Sequence, residues 1–217
     1  MDSLLTKEKS GWDMKNKKQS GIVKTVAGLD KKKYREIVRS LYRRCALESG
    51  AVDAESFDQI LDSARWTPSV ANRQPWLISG LRGELAHDVL HQLSEMPGML
   101  EDFFSARSHE SLSNDLQSAG AMVLLMGQRT APFWRESCLL ATHQMMMSAA
   151  VEGLATRTLM PTSPNGMTKF FKIPDDYLAF SMILVGQPGE PEANTAMLKP
   201  VMDVIVPLKS VPQSAAV

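Results

Sequence analysis

The chain of 217 residues has few cysteines and histidines and no long hydrophobic run, the features that mark disulfide-rich, metal-binding and membrane-spanning proteins. Its two cysteines, Cys45 and Cys138, cannot form a disulfide framework, and neither has partners at metal-ligand spacing. His87 and His91 lie four residues apart without a third ligand, so we interpret them as a solvated helix face and expect no metal site. No apolar run reaches the roughly 18 residues of a membrane span, and the N-terminus lacks a signal-peptide core. These absences predict a cytoplasmic protein that does not contact a membrane.

The chain also has no excess of charge, because 24 Lys and Arg residues balance 24 Asp and Glu residues. A net charge of zero argues against a protein that coats nucleic acid. The balance is uneven, since residues 1–44 hold 13 basic and 5 acidic side chains. We interpret residues 1–30 as a flexible basic arm and residues 31–217 as one folded domain. Weak nucleic-acid or membrane contact by the arm is an alternative that salt-dependent binding would reveal.

Hydrophobic spacing predicts helices and strands in irregular alternation, which favours an α+β fold. Helices are predicted from Lys31 to a break at Gly50, from a cap at Asp53 to a stop at residues 67–69, over 85–93, and over 136–152 before Gly153. Strands are predicted over 76–81, 121–126 and 180–185, and the turn at 186–189 ends the last of these. Residues 99–118 are predicted to be irregular and 159–165 to be a loop, with a short helix near 170–173.

Two segments stand out in a sequence that has no phosphate loop and no nucleophile motif. Arg43-Arg44 either caps a helix end or grips a phosphate, for which adjacent guanidiniums are suited. The loop 68–76, pinned by Pro68, Pro75 and Trp76, either presents polar groups rigidly to a ligand or is a well-bonded turn. Residue spacing alone does not decide between these readings.

The order of these segments resembles the nitroreductase family of flavoproteins. Residues 64–76, Ala-Arg-Trp-Thr-Pro-Ser-Val-Ala-Asn-Arg-Gln-Pro-Trp, are similar to the family signature A-x-x-x-P-S-x-x-N-x-Q-P-W. Arg43-Arg44-Cys45 resembles the early R-R-S segment, and residues 136–154 resemble the late core helix that ends in Gly-Leu. Residues 183–188 resemble the last core strand with its G-x-P turn, and Lys199-Pro200 resembles the basic segment of the C-terminal extension. The resemblance covers about residues 35–206.

The resemblance implies a central, mainly antiparallel sheet flanked by helices, in an intertwined homodimer that binds FMN at its interface. It implies that the R-R-S segment and the C-terminal cation hold the phosphate and ribityl chain, and that the partner's Pro-Ser loop lines the ring. It also implies that a backbone N–H after the late helix faces flavin N5. The cofactor-binding residues expected on this basis are Arg43, Arg44, Cys45, Pro68, Ser69, Val70, Asn72, Met160, Pro161 and Lys199.

Several positions depart from the family pattern. Cys45 replaces a serine, which exchanges a good hydroxyl donor for a weak thiol. Val70 replaces a small polar residue, and Pro161 stands where glycine is common and has no N–H to donate. Leu47 and Leu198 stand where cations are frequent, so we expect FMN to be held either more weakly than is usual or by substitutes such as Arg157 or residues of the N-terminal arm.

The resemblance implies an FMN-dependent oxidoreductase that passes hydride in a ping-pong cycle from NAD(P)H through FMN to an electron-poor nitroaromatic or quinone. No side chain is required as an acid or base, so we predict no catalytic residue. Phe103-Phe104 is either a substrate lid or plain core. The alternatives are a flavin-dependent dehydrogenase or oxidase that tailors a biosynthetic intermediate, and a non-catalytic flavin-binding protein.

Overall fold

The computed structural model describes residues 30–41, 45–96, 109–162 and 164–191. The chain divides into two compact units, residues 1–39 and 40–217. Apart from Asp30, the predicted basic arm lies outside the described residues, and both the arm and its boundary at residue 30 stay predictions. Residues 201–206, the last apolar stretch of the sequence, also lie outside the described residues.

The first helix, α1 (Lys31–Ser40), begins with a side-chain cap. The Asp30 carboxylate accepts hydrogen bonds from the backbone N–H of Lys32 at 2.9 Å and of Lys33 at 3.4 Å. The helix has the predicted apolar stripe, but none of its described residues is buried. Tyr34 and Val38 on that stripe remain exposed.

A five-stranded, entirely antiparallel sheet organises the second unit, in the order β1-β5-β3-β2, with β4 also paired to β5. This confirms the predicted α+β architecture with a mainly antiparallel sheet. Five helices and two short 3₁₀ turns are described around it. The elements are β1 (Cys45–Glu48), α2 (Ala54–Ser63), β2 (Trp76–Arg82), α3 (Glu84–Ser94), α4 (His109–Ser118), β3 (Ala121–Gln128), α5 (Trp134–Val151), β4 (Ala155–Leu159), α6 (Pro164–Phe170) and β5 (Tyr177–Pro191).

Helices cover both faces of the sheet, and the central strand β3 is buried on both sides. Met122 and Leu124 point into a core shared with α3, α4 and α6. Val123 and Leu125 point into the opposite core, which α2 and α5 complete. Burial on both faces explains why β3 reads in the sequence as a continuous apolar run rather than as an alternating one.

Two predicted helix boundaries follow from local chemistry and are confirmed. The Asp53 carboxylate accepts the backbone N–H of Ser56 at 2.9 Å and so caps α2, and this hydrogen bond holds the pKa of Asp53 below its usual value. Gly153 follows the end of α5 with a φ of 76°, the left-handed conformation that glycine adopts at little cost.

The predicted helix from Lys31 to Gly50 is wrong in its second half. α1 ends at Ser40, and Cys45–Glu48 is strand β1 instead. The segment Cys-Ala-Leu-Glu has no strand pattern of its own. It is extended because it pairs with β5, where Leu47 lies opposite Pro188 and is buried.

Four further corrections concern two helices and two strands. Part of the segment predicted to be irregular is α4, whose face holds Leu112 and Leu116. β4 was not predicted, and α6 lies earlier than the short helix expected near 170–173. β5 continues through the Gly-Gln-Pro-Gly turn signal to Pro191, because β1 pairs with it there.

Candidate functional site

The loop between α2 and β2, residues 67–75, is shaped by unusual backbone conformations. Ala71 and Asn72 each have a φ of 52° and Gln74 has a φ of 46°, although none is glycine. Residues other than glycine seldom adopt this left-handed backbone conformation, and those that do are often found at functional sites. The surrounding hydrogen bonds therefore hold this loop in one specific shape.

Two side chains of the loop tie it together. The Ser69 hydroxyl oxygen accepts the backbone N–H of Gln74 at 2.9 Å, and the Asn72 side-chain oxygen accepts the Gln74 amide at 3.3 Å. Because Ser69 acts as acceptor in this bond, its hydroxyl proton can be donated elsewhere. Ser69 is half-buried, and Pro68, Val70 and Asn72 are exposed, so the loop presents a polar surface that a ligand can reach.

The loop is anchored to the sheet at its far end. Pro75 is buried, and its carbonyl accepts the backbone N–H of Gln128 at 2.9 Å. The Cys138 sulfur lies 3.9 Å from the same carbonyl oxygen. Burial raises the pKa of the Cys138 thiol to about 12, which disfavours the reactive thiolate.

The start of the loop is held by Asp62. Its carboxylate accepts the Trp66 indole N–H at 3.0 Å and pairs with Arg65 at 2.6 Å. These two contacts, the Trp66 bond first, lower the pKa of Asp62 from its usual value. The Trp66 ring is 77% exposed, and the next residue, Thr67, has a buried hydroxyl without a hydrogen-bond partner in the described part of the chain.

Met160 and Pro161 directly follow β4. Met160 is 44% exposed and Pro161 is half-buried, so this segment is accessible at the end of the strand. Pro161 has no N–H, which leaves Met160 as the residue of this pair that can donate a backbone hydrogen bond.

Cys45 opens β1 and is half-buried. Its carbonyl accepts a hydrogen bond from Arg157 of β4 at 3.1 Å. Arg157 is 4% exposed and forms an ion pair with Asp115 of α4, with 3.0 Å between Nε and Oδ2. The expectation that Arg157 substitutes as a phosphate ligand is therefore wrong, because its guanidinium is buried against Asp115 and the Cys45 carbonyl.

Arg43, Arg44 and Lys199 lie outside the described residues, as does the Phe103-Phe104 segment. The others fall at three places in the second unit: the start of β1, the α2–β2 loop, and the end of β4.

Sequence reasoning missed Asp115. Its position carried a signal, since residues 112, 115 and 116 recur at helical spacing and Leu112 and Leu116 are both buried. A carboxylate on such a face requires a buried cationic partner, and Arg157 of β4 is that partner.

Other features of the described residues contribute nothing to this site. A cavity of about 490 Å³ lies beside the first turns of α3 and the start of β3, and none of the predicted cofactor-binding residues lines it. No cluster of three or more potential metal ligands occurs among the described residues. None of the helices described is long and apolar enough to cross a membrane, and the cytoplasmic location stays a prediction.

Comparison with known proteins adds three findings. The model of the nitroreductase family matches residues 43–187. A protein of Methanothermobacter thermautotrophicus, named as an NADH dehydrogenase/NAD(P)H nitroreductase, is 26% identical over 144 residues, which are 64% of this chain and 69% of that protein. Among solved structures, iodotyrosine deiodinase bound to FMN and 3-iodo-L-tyrosine has a TM-score of 0.64 at 19% identity, covering 82% of this chain and 100% of that one.

Two further solved structures are similar in the same way. A nitroreductase family protein of Streptococcus pneumoniae TIGR4 has a TM-score of 0.61 at 14% identity, covering 81% of this chain and 100% of that one. An FMN-dependent nitroreductase of Clostridium difficile R20291 has a TM-score of 0.59 at 16% identity, covering 79% and 97%. At these identities the structural similarity concerns the fold.

Proposed function

Since the chain belongs to the nitroreductase family, we propose that it is an FMN-dependent oxidoreductase that uses NAD(P)H as electron donor. The observation that carries the proposal is the α2–β2 loop. Three left-handed non-glycine residues and the Ser69–Gln74 tether hold its polar groups in a fixed arrangement, within the segment that the family model matches.

The chemistry of the described donors fits a flavin. A flavin ring carries carbonyl and nitrogen acceptors, and its ribityl chain carries hydroxyls. Ser69 offers a hydroxyl proton and Asn72 an amide, on a surface that also has apolar contact from Pro68 and Val70. The buried Thr67 hydroxyl, which has no hydrogen-bond partner among the described residues, adds a polar group beside this surface.

In this proposal, Ser69 and Asn72 hold the ring and ribityl side, and Met160 offers its backbone N–H toward the ring. Cys45, Arg43, Arg44 and Lys199 hold the phosphate end. When bound, FMN supplies two-electron chemistry between NAD(P)H and an electron-poor acceptor of nitroaromatic or quinone type. The protein's part is to bind, orient and shield the reactants, so no side chain acts as acid or base.

We also propose that two copies of the chain form the site. The support is a set of exposed apolar side chains on α5, where Leu140 is 50%, Val151 is 61% and Leu139 is 53% exposed. Leu140 and Val151 lie three turns apart on the same face, with the polar residues His143 and Gln144 between them. Several large apolar side chains left exposed on one helix are typical of an interaction surface. A second copy of α5 is the occupant consistent with a flavin site built from two subunits.

Replacing Leu140 with Asp tests this dimer. Two carboxylates brought into an apolar interface without partners should raise the dimer dissociation constant by about 100-fold or more. Light scattering during gel filtration measures the mass directly. The matched control is Leu85→Asp, because Leu85 is 67% exposed on α3, which packs on the other face of the sheet. A monomeric wild-type chain, or an L140D protein that remains dimeric, would contradict the proposal.

The test of the function is an absorption spectrum of the full chain before and after incubation with FMN. We expect flavin bands that remain after removal of free FMN. Anaerobic NADH or NADPH should then bleach the bands, and a nitroaromatic or quinone should restore them. A protein that stays colourless overturns the proposal. Stable bands that neither nicotinamide bleaches would favour the alternative, a flavin-dependent dehydrogenase of another substrate.

A further inference from the structure

An ion pair is buried between α4 and β4. Arg157 is 4% and Asp115 is 6% exposed. The guanidinium approaches the carboxylate with two nitrogens, at 3.0 Å from Nε to Oδ2 and 3.5 Å from Nη2 to Oδ1. This two-point contact combines an ion pair at Nε with a long hydrogen bond from Nη2, and it leaves Nη2 facing β1 as well.

The same guanidinium reaches a third element. Its Nη2 atom donates to the Cys45 carbonyl at 3.1 Å, at the first residue of β1. In the register of the sheet Cys45 lies opposite Pro191, which has no N–H to donate, and the register shifts between Cys45 and Leu47. Arg157 therefore supplies a hydrogen-bond donor where the neighbouring strand cannot.

The charge of the pair is balanced. Because Asp115 neutralises Arg157 inside the protein, the pair adds little positive potential for an anion at the surface. Buried ion pairs are costly to desolvate, and apolar residues of similar volume often serve stability equally well. What an apolar pair would not supply is the oriented donor to Cys45.

We infer that Arg157 and Asp115 are positioning residues for the phosphate of FMN, acting through the backbone of Cys45. This inference rests on the proposed function. Cys45 is the described member of the Arg43-Arg44-Cys45 segment to which the phosphate contacts are assigned. The pair holds the Cys45 carbonyl in place without touching the phosphate, and so the phosphate-binding end of β1 is prepared before the cofactor arrives.

The test compares affinities for FMN and for riboflavin, which lacks the phosphate, by fluorescence titration of the full chain. The variants are Asp115→Asn, Arg157→Lys and the double variant D115L/R157M, whose apolar pair preserves volume. Glu36→Gln is the matched control, because it removes an exposed ion pair, that of Glu36 with Lys32 on α1. Circular dichroism and thermal melts show which variants are folded.

We expect the double variant and Asp115→Asn to weaken FMN binding by about tenfold and riboflavin binding by less than about twofold. Arg157→Lys keeps the charge but loses the two-point geometry, and should give an intermediate loss. The control should match the wild type. If folded variants keep the wild-type FMN-to-riboflavin ratio, the inference is overturned while the proposed function stands. If Asp115→Asn binds FMN more tightly, Arg157 is itself a phosphate ligand and the inference is also overturned.

Hydrogen exchange of the wild-type chain provides a readout that needs no variant. Peptides covering residues 45–48 should already be protected without FMN and should change little when FMN is added. Protection that appears only with FMN would show that the pair does not prepare this strand, which overturns the inference. A wild-type chain that binds neither flavin contradicts both the inference and the proposed function.

Discussion

Leu125→Ala should lower the free energy of unfolding by about 2–5 kcal/mol, which is among the largest effects expected of a single substitution in this chain. Leu125 is fully buried at the centre of β3, opposite Ile78 of β2 and Ser181 of β5. Its side chain points into the core that α2 and α5 complete. Strands on both sides limit how far the backbone can close over the lost volume.

Urea denaturation followed by circular dichroism measures this loss. The matched control is Leu77→Ala on the neighbouring strand β2. Leu77 is 42% exposed, so its side chain buries much less apolar surface on folding than Leu125 does. We expect the control to cost less than about 1 kcal/mol. Similar losses for the two variants would contradict the assignment of Leu125 to the interior of the core.

Ser69→Ala should weaken FMN binding by about 10-fold to 100-fold, since it removes at once the hydroxyl that we propose as a donor to the flavin and the tether to Gln74. Without the tether, the left-handed residues Ala71 and Asn72 lose a contact that holds their conformation. Ser69→Thr keeps the hydroxyl and should retain most of the affinity.

Fluorescence titration with FMN and with riboflavin measures this effect. Both affinities should fall together, because Ser69 is assigned to the ring and ribityl side and not to the phosphate. This pattern differs from that expected of the Arg157 and Asp115 variants, which should weaken FMN binding much more than riboflavin binding. Ser113→Ala is the control, since Ser113 of α4 also accepts a local side-chain hydrogen bond, from Gln117 at 3.3 Å. An S69A protein with wild-type affinity would remove Ser69 from the proposed site.

Elements whose structure depends on residues close by in the chain could be predicted from the sequence. The Asp53 cap and the Gly153 end are local, because each depends on atoms within a few residues. β3 was recognisable because burial on both faces requires an unbroken apolar run. The nitroreductase resemblance depended on the same kind of information, since its signature occupies 13 consecutive positions, residues 64–76.

Elements defined by distant partners could not be predicted. β1 is short and has no alternating pattern, and only its pairing with residues 187–191 makes it a strand. The alternation of buried and partly exposed residues in β4 could not be recognised from the sequence. Its central inward-facing residue is Arg157, which is charged but is buried against Asp115. β5 continues through the turn sequence at residues 186–189 because β1 pairs with its residues 187–191.

By itself the sequence determined the family, the α+β class and the loop that presents Ser69 and Asn72, because these depend on residue order and local backbone chemistry. Only the tertiary structure decided what Arg157 does. Its charge suggested a phosphate ligand, but a buried guanidinium is costly unless it is paired, and its carboxylate partner Asp115 lies 42 residues away in the chain. That pairing arises from the packing of α4 against the sheet, which no local pattern encodes.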